Sequence, residues 1–262
     1  MNKFLLPLVF VSTLSILVGN QQAFAFNCES QQTGDWDQSS TWQNCNNVFP
    51  ISTDNITIKN LHVVTLKTLE TVSGILNIEN GAELFVDGNQ FSGKLIIDGG
   101  TFTNSGKVTI IGGGTIGFAQ LRLESSSIGT NECTGIINTI GGSETGSGSF
   151  VVFGSSQFVN KGTINLLGGS GTQSGALGVS LGTTVNNHGT VIENAGSGPS
   201  SGIVNIKGTY NPNEPNLCLV GGQLLPIDTT ALLLAGSQMT AAWMIPVIVA
   251  GIGIAIVIAR KF

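Results

Sequence analysis

A short phrase recurs along the middle of the chain: a glycine, any residue, an apolar residue, any residue and, usually, a second apolar residue. Its copies begin at Gly74, Gly93, Gly106, Gly135, Gly162, Gly189 and Gly202. From Gly106 to Gly189, successive copies are 29, 27 and 27 residues apart. A repeat of this length is typical of stacked coils, because each coil can bury its apolar side chains only against its neighbours. The period therefore predicts a solenoid.

Between residues 71 and 222 the apolar runs are short and are broken by Gly, Asn and Ser. This pattern predicts an all-β, right-handed parallel β-helix of about six coils and roughly 30 Å in length, since stacked strands lie about 4.8 Å apart. A β-sandwich also has short strands, but it gives no reason for a near-constant step.

Residues before the glycine repeat as well. The aligned apolar residues are Phe102, Phe158 and Val185, and the aligned asparagines are Asn104, Asn160 and Asn187. We expect the apolar set to point inward. We expect the asparagines to gather near one turn, where asparagine tolerates left-handed backbone and its amide can bond to a neighbour. Cys133 takes the asparagine place in the coil of Gly135, which predicts an interruption there.

The two ends of the chain predict export and anchoring. Residues 1–25 have the features of a secretory signal peptide, with Lys3 before an apolar stretch and Ala23-Phe24-Ala25 as the cleavage site. An uncleaved membrane helix is the alternative. Residues 240–259 carry no charge and are long enough to span a bilayer as a helix. The basic pair Arg260-Lys261 then predicts a cytoplasmic tail and an extracellular body.

Two other interpretations of the C-terminal region stay open. The apolar segment could be a buried core helix, or the anchor could be removed at Leu225–Thr229, which faintly resembles a sortase site. The predicted organisation is as follows: signal peptide 1–25, N-terminal cap and first strands 26–70, coils 71–222, linker 223–239, transmembrane helix 240–259 and tail 260–262.

Charge and cysteine usage agree with an exported chain. Residues 26–228 hold seven Lys or Arg against fifteen Asp or Glu, a net charge of −8, which argues against nucleic acid as a partner. The cysteines Cys28, Cys45, Cys133 and Cys218 allow three pairings of two disulfides. Pairing Cys28 with Cys45 would staple the N-terminal segment, and pairing Cys133 with Cys218 would tie a middle coil to the end of the stack.

The N-terminal segment resembles the start of many exported parallel β-helix proteins. The resemblance rests on Gly34, Trp36, Trp42, Pro50 and Asp54, which leads into an alternating strand. Because the first coil of a stack has an exposed edge, we expect the two tryptophans to cap it. An aromatic platform for sugars is the alternative. The next strand contains the one sequon, Asn55-Ile56-Thr57, which is a possible glycosylation site.

The C-terminal segment resembles the anchors of exported surface proteins of ammonia-oxidising archaea. The similarity covers about forty residues, including Pro226–Gly236 and Trp243–Val249. It implies a location on the cell surface rather than an activity.

Candidate reactive groups are few. The charged candidates for chemistry on polysaccharides are Asp87, Asp98, Arg122 and Glu124. No alignment of the repeats brings two of them together, so we expect solvated charges and no catalytic residue. The glycine motif at 112–117 is followed by a strand rather than the helix that a dinucleotide site needs. We therefore predict no cofactor and no metal.

The sequence as a whole predicts a non-catalytic structural or adhesive protein of the cell envelope. Its expected partners are the membrane, through the C-terminal helix, and glycans or other envelope proteins. The alternative is a carbohydrate-active enzyme or glycan-binding module on the same scaffold.

Overall fold

The chain forms a parallel β-solenoid of about seven turns. The computed structural model describes residues 25–46, 48–88, 92–114 and 118–219, which are almost entirely strands and turns. Apart from Ala25, the predicted signal peptide lies outside these residues, as do the linker, the membrane helix and the tail. No helix within the described ranges is long and apolar enough to cross a membrane.

Twenty-two strands build the solenoid. In chain order the first eleven are β1 (Asn27–Ser30), β2 (Gly34–Asp35), β3 (Trp42–Gln43), β4 (Asn55–Ile58), β5 (Val63–Leu66), β6 (Leu69–Val72), β7 (Ile75–Ile78), β8 (Glu83–Asp87), β9 (Lys94–Asp98), β10 (Thr101–Asn104) and β11 (Lys107–Ile111). The remaining strands are β12 (Gln120–Glu124), β13 (Ile128–Asn131), β14 (Ile136–Ile140), β15 (Ser149–Val152), β16 (Gln157–Asn160), β17 (Thr163–Leu167), β18 (Leu177–Val179), β19 (Thr184–Asn187), β20 (Thr190–Asn194), β21 (Val204–Ile206) and β22 (Thr209–Asn211). Two 3₁₀ turns cover Ser39–Thr41 and Leu217–Leu219.

Every third strand joins the same sheet, so each coil contributes one strand to each of three faces. Sheet A has the order β22-β19-β16-β13-β10-β7-β4-β1-β3, sheet B the order β2-β5-β8-β11-β14-β17-β20, and sheet C the order β21-β18-β15-β12-β9-β6. All neighbours are parallel except β1 and β3, which are antiparallel. The parallel solenoid that the period predicts is confirmed.

The glycine phrase marks the start of a strand rather than one face of the solenoid. The copies at Gly106, Gly135, Gly162 and Gly189 precede β11, β14, β17 and β20, which stack in sheet B with the same steps of 29, 27 and 27 residues. The other copies lead into strands of sheets A and C. The step varies among the early coils, since Cys28 pairs with Ile56 28 positions later, whereas Ile56 pairs with Leu76 only 20 positions later. The phrase recurs on all three faces because each strand follows a tight turn.

Alternate residues of the strands point inward and fill the interior. Phe102, Phe158 and Val185 are fully buried in sheet A, as their alignment predicts. Gly129 stands between the two phenylalanines in the same column. A Cβ at Gly129 would lie 2.5 Å from Leu123 Cδ1 and 2.8 Å from Phe158 Cδ2, so the column has room there for a hydrogen only. The missing side chain at Gly129 therefore makes room for the ring of Phe158 in the packed core.

A ladder of buried asparagines runs along the end of sheet A. Asn104 Nδ2 donates to Asn131 Oδ1 (2.7 Å), Asn131 Nδ2 to Asn160 Oδ1 (2.8 Å), and Asn160 Nδ2 to Asn187 Oδ1 (2.7 Å). The predicted gathering of three asparagines is confirmed, but none of them has the left-handed backbone offered as a reason. The asparagines lie in strands. Asparagine suits these positions because its side-chain amide can donate to the next coil and accept from the previous one.

The predicted interruption of this ladder at Cys133 is wrong. Asn131 fills the position, because three residues separate it from Gly135, whereas only Ser105 separates Asn104 from Gly106. The turn after β13 absorbs the two extra residues of the 29-residue step, and the strand keeps its register. The ladder begins at Asn104, whose Oδ1 has no hydrogen-bond partner, because the residue paired with it on β7 is Ile78.

The first coil is covered by its own chain. Strand β3 pairs with the outer edge of β1, which removes an exposed edge that could pair with another chain. Trp36 and Trp42 are 2% and 3% exposed and pack edge to face, with ring centroids 5.2 Å apart. The indole N–H of Trp42 donates to the carbonyl of Trp36 (2.7 Å). The geometry fits the capping role, and these two buried indole rings offer no platform for a sugar.

We expect Asn131→Ala to destabilise the fold by about 2–4 kcal/mol. The substitution removes both ladder bonds of Asn131 and its bond to the carbonyl of Gly135, and it leaves Asn160 Oδ1 without its donor. Urea unfolding of the purified protein measures this. The matched control is Asn138→Ala on the outer face of sheet B, where the half-buried Asn138 accepts one hydrogen bond from Asn165 (2.8 Å) and where we expect a loss below about 1 kcal/mol. Equal losses in the two variants would contradict the ladder's role.

We expect Gly129→Ala to cost about 1–3 kcal/mol through overpacking. Because the added methyl would collide with Phe158, Phe158→Leu should cost less in the Gly129→Ala background than in the wild type. A double-mutant cycle from unfolding curves gives this coupling. Strictly additive losses would show that the two positions do not share space.

Candidate functional site on the outer face of sheet C

The predicted site residues do not form one cluster. The cysteines pair as Cys28–Cys45 and Cys133–Cys218, one of the three possible arrangements, with Cα–Cα distances of 4.6 and 5.3 Å. The first disulfide holds β1 to the covering segment. The second returns the chain from the last coil to the turn after β13. The second disulfide thus cross-links two coils of the solenoid, whereas the first closes a loop within the N-terminal segment.

Asn55, the predicted glycosylation site, lies in β4 and is half-buried. Its Nδ2 donates to Asn27 Oδ1 (3.1 Å), and its Oδ1 accepts the N–H of Ile75 (3.3 Å). A glycan would replace one of the two hydrogens on Nδ2 and leave the other for the bond to Asn27.

The outer face of sheet C, by contrast, brings charged residues together. Strands β9 and β12 pair in register, so Lys94 is the partner of Gln120 and Asp98 is the partner of Glu124. The expectation that no two candidate charges share a register is therefore wrong. The similarity of Lys94-Leu-Ile-Ile-Asp98 to Gln120-Leu-Arg-Leu-Glu124 was the signal that could have found the pair. Asp87, in contrast, lies on sheet B, opposite Ile111.

Arg122 is the centre of this cluster. Its buried Nε lies 2.6 Å from Glu124 Oε1, an ion pair whose angle falls outside hydrogen-bond geometry. The guanidinium carbon lies 5.4 Å from the ring centroid of Phe153. Burial, reinforced by the positive charge of Arg122, lowers the pKa of Lys94, while Glu124 acts in the opposite direction. The cluster thus combines two cations, two carboxylates and an aromatic ring.

Phe153 belongs to this cluster, although the sequence pattern did not identify it as a candidate site residue. It follows β15 directly, and its N–H bonds to the carbonyl of Leu123 (2.8 Å), which places it one coil beyond Glu124. Its side chain is 47% exposed although it is large and apolar. An exposed ring beside a guanidinium is a common arrangement at binding surfaces.

A cleft of about 130 Å³ adjoins the cluster on the same face. Its lining includes Gln120, Ser149, Val151, Gln173, Gly178, Asn205 and Lys207. Gly178 forms the floor, because the residues before and after it in the column are Val151 and Asn205. The cleft is smaller than the roughly 300–1,000 Å³ of typical small-molecule pockets. The cleft is therefore small for an enclosed substrate.

The loops between sheets B and C shape one wall of the cleft. Gln173 has a left-handed backbone (φ 57°), which is uncommon for a residue other than glycine. The stacked loops hold it there: Gly146 N–H donates to Thr172 O (2.8 Å), and Gln173 N–H donates to Pro199 O (2.8 Å). Strain of this kind often accompanies binding sites.

The far end of the solenoid holds a second cavity, of about 500 Å³. It is lined by Asn187, Val191, Glu193, Val204, Tyr210 and Pro212. Burial and the negative charge of Glu193 raise the pKa of Tyr210. This cavity is the end of the core column beyond the last strands.

Nothing in the described ranges points to a metal centre, since no three His, Cys, Asp or Glu side chains converge there as ligands would. Comparison with known proteins adds no family: no family model, curated protein or solved structure matches the chain significantly. The argument for function therefore rests on the outer face of sheet C.

We expect Arg122→Gln to raise the pKa of Lys94, because the substitution removes a nearby positive charge and leaves Glu124 in place. Dimethylation of the lysines with a ¹³C label, followed by an NMR titration, measures this. Lys107, which pairs with Glu83 (3.0 Å) on sheet B, serves as the control, because the substitution leaves its surroundings intact. An unmoved Lys94 would show that the two cations do not interact.

Proposed function

We propose that the chain is a structural or adhesive protein of the cell surface, a right-handed parallel β-helix held outside the cell by its C-terminal helix. Crossovers between parallel strands are right-handed in about 98% of cases, which supports the handedness. The signal-peptide pattern and the uncharged segment at 240–259 support export and anchoring. The two disulfides agree with an oxidising compartment.

The filled interior is the observation that carries this proposal. The inward columns of all three sheets are occupied by buried apolar side chains such as Leu84, Leu95 and Ile164. Because buried side chains fill the described core up to the cavity at its last strands, the proposal places recognition on the outer faces. A rigid acidic rod with polar, amide-rich surfaces suits an envelope component that contacts matrix or neighbouring cells.

Glycans are the partner class that the face of sheet C fits best. The cleft offers amide groups from Gln120, Gln173 and Asn205 and the hydroxyl of Ser149, which can bond to sugar hydroxyls. Phe153 offers an exposed ring for the apolar face of a sugar. The net negative charge of the body disfavours nucleic acid. Binding through a shallow face is consistent with adhesion rather than with chemistry.

A carbohydrate-active enzyme is the second candidate, and the pairing of Asp98 with Glu124 supports it. Neighbouring strands place their residues about 4.8 Å apart, near the 5–5.5 Å between the carboxyls of retaining glycosidases. The close ion pair with Arg122 commits Glu124 to a structural contact, which favours the adhesive role. Product analysis by chromatography distinguishes the two: an enzyme would release sugar, and Glu124→Gln would abolish that release.

We expect the full-length protein in detergent to bind selected glycans on an array. Gly178→Leu should weaken binding at least tenfold by filling the cleft, and its Cβ would meet Val151 at an ordinary 3.5 Å, so the fold should tolerate it. Phe153→Ala should weaken binding similarly by removing the stacking ring.

The matched control is Ile128→Ala, a comparably exposed apolar residue on sheet A, which should leave binding unchanged. Equal binding by all variants would remove the face of sheet C from the proposal. Absence of binding together with protease accessibility on intact cells would favour a purely structural role.

A further inference from the structure

Asp54 is a buried carboxylate without a cationic partner. It is 1% exposed and stands immediately before β4. Its Oδ1 accepts the N–H of Phe26 (2.9 Å), and its Oδ2 accepts the N–H of Ile51 (2.9 Å). Cys28 Sγ, 3.4 Å from Oδ2, is in a disulfide and has no proton to donate. In the part of the chain that the structure describes, no Lys, Arg or His forms an ion pair with Asp54.

A buried charge of this kind is costly unless an opposite charge accompanies it. One of its two hydrogen-bond donors has a special position in the sequence. The nitrogen of Phe26 belongs to the Ala25–Phe26 peptide bond, which is the bond that the small-x-small pattern marks for signal cleavage. Ala25 is exposed, whereas Phe26 packs against the hydrophobic core. The sequence pattern and the buried carboxylate therefore identify the same nitrogen independently.

We propose that a signal peptidase cleaves the Ala25–Phe26 bond, and that the new α-ammonium group of Phe26 forms a buried ion pair with Asp54. In the hydrolysis, water adds across the amide: the C–N bond breaks, a C–O bond forms on Ala25, and the Phe26 amine takes up a proton at neutral pH. The nitrogen already lies 2.9 Å from the carboxylate oxygen, so processing adds charge without moving the chain. The inference rests on the export signal of the proposed function and not on the glycan face.

The ion pair would lock the first strand after export. β1 is the strand on which the stack of sheet A begins, and Phe26 directly precedes it. The other titratable groups of β1 and its neighbours are engaged elsewhere: Lys59 bridges Glu29 (3.7 Å) and Glu79 (3.0 Å), and His62 Nδ1 contacts Ser30 Oγ (2.8 Å). Asp54 is thus the carboxylate available to the new terminus, and the mature form should be held more firmly than the precursor.

The test is to express the full-length chain in a host that secretes it. Intact mass and peptide sequencing then give the N-terminal residue of the purified product. We expect the product to begin at Phe26. The rate of acylation of its α-amine is then followed against pH, because the midpoint reports the pKa independently of steric slowing. We expect a midpoint about one unit or more above the ordinary ~7.7–8.0, and a return to that range in Asp54→Asn.

Asp37→Asn, which neutralises an exposed carboxylate in the same segment, is the matched control and should keep the raised midpoint. If Asp54→Asn fails to fold, the wild type in denaturant supplies the ordinary midpoint. A terminus at any other residue overturns the proposal, as does an ordinary midpoint in the folded wild type. Glycan binding is measured on separate variants, so its failure and the failure of this inference can be told apart.

Discussion

The hydrogen-bonded register between successive coils is the constraint on which the rest of this structure depends. Each parallel strand pairs with the strand one coil before it and the strand one coil after it, so every side chain stands directly above another. Side chains at equivalent positions of successive coils form a column, and each must fit against the next one about 4.8 Å away. Apolar residues meet this condition by packing, asparagines by bonding amide to amide, and Gly129 by making room for Phe158.

Variation in coil length is confined to the turns for the same reason. A residue inserted into a strand would send every following side chain to the opposite face. The 29-residue step is therefore absorbed between Asn131 and Gly135. The coil of β4, β5 and β6 is short because only two residues lie between its strands of sheets B and C. The outer faces inherit this order, which is why Asp98 and Glu124 become neighbours and Arg122 can reach both Glu124 and Phe153.

A filled solenoid also limits what the protein can do. The described interior is occupied by side chains up to the cavity at its far end, and the cleft on the outer face of sheet C is shallow and amide-rich. The ends pose a different problem, because a stack exposes its last strands. At the N-terminal end, β3, the two tryptophans and a disulfide cover the first coil. The buried Asp54 accepts a hydrogen bond from Phe26 and so holds the start of β1 in this covered end.

The sequence by itself determined the solenoid, its step length and much of its core. The spacing of glycine and apolar residues is local, and a period of 27 residues has few other solutions, so Phe102, Phe158 and Val185 could be placed inward. Only the tertiary structure decided which turn absorbs the extra residues, and hence that Asn131 rather than Cys133 joins the ladder. It also selected the cysteine pairing and brought Arg122 and Phe153 together. Alignment by spacing assumes that all coils have the same number of residues. Hydrogen bonding and packing between coils fix the register of the strands, but they leave the turns free to differ in length.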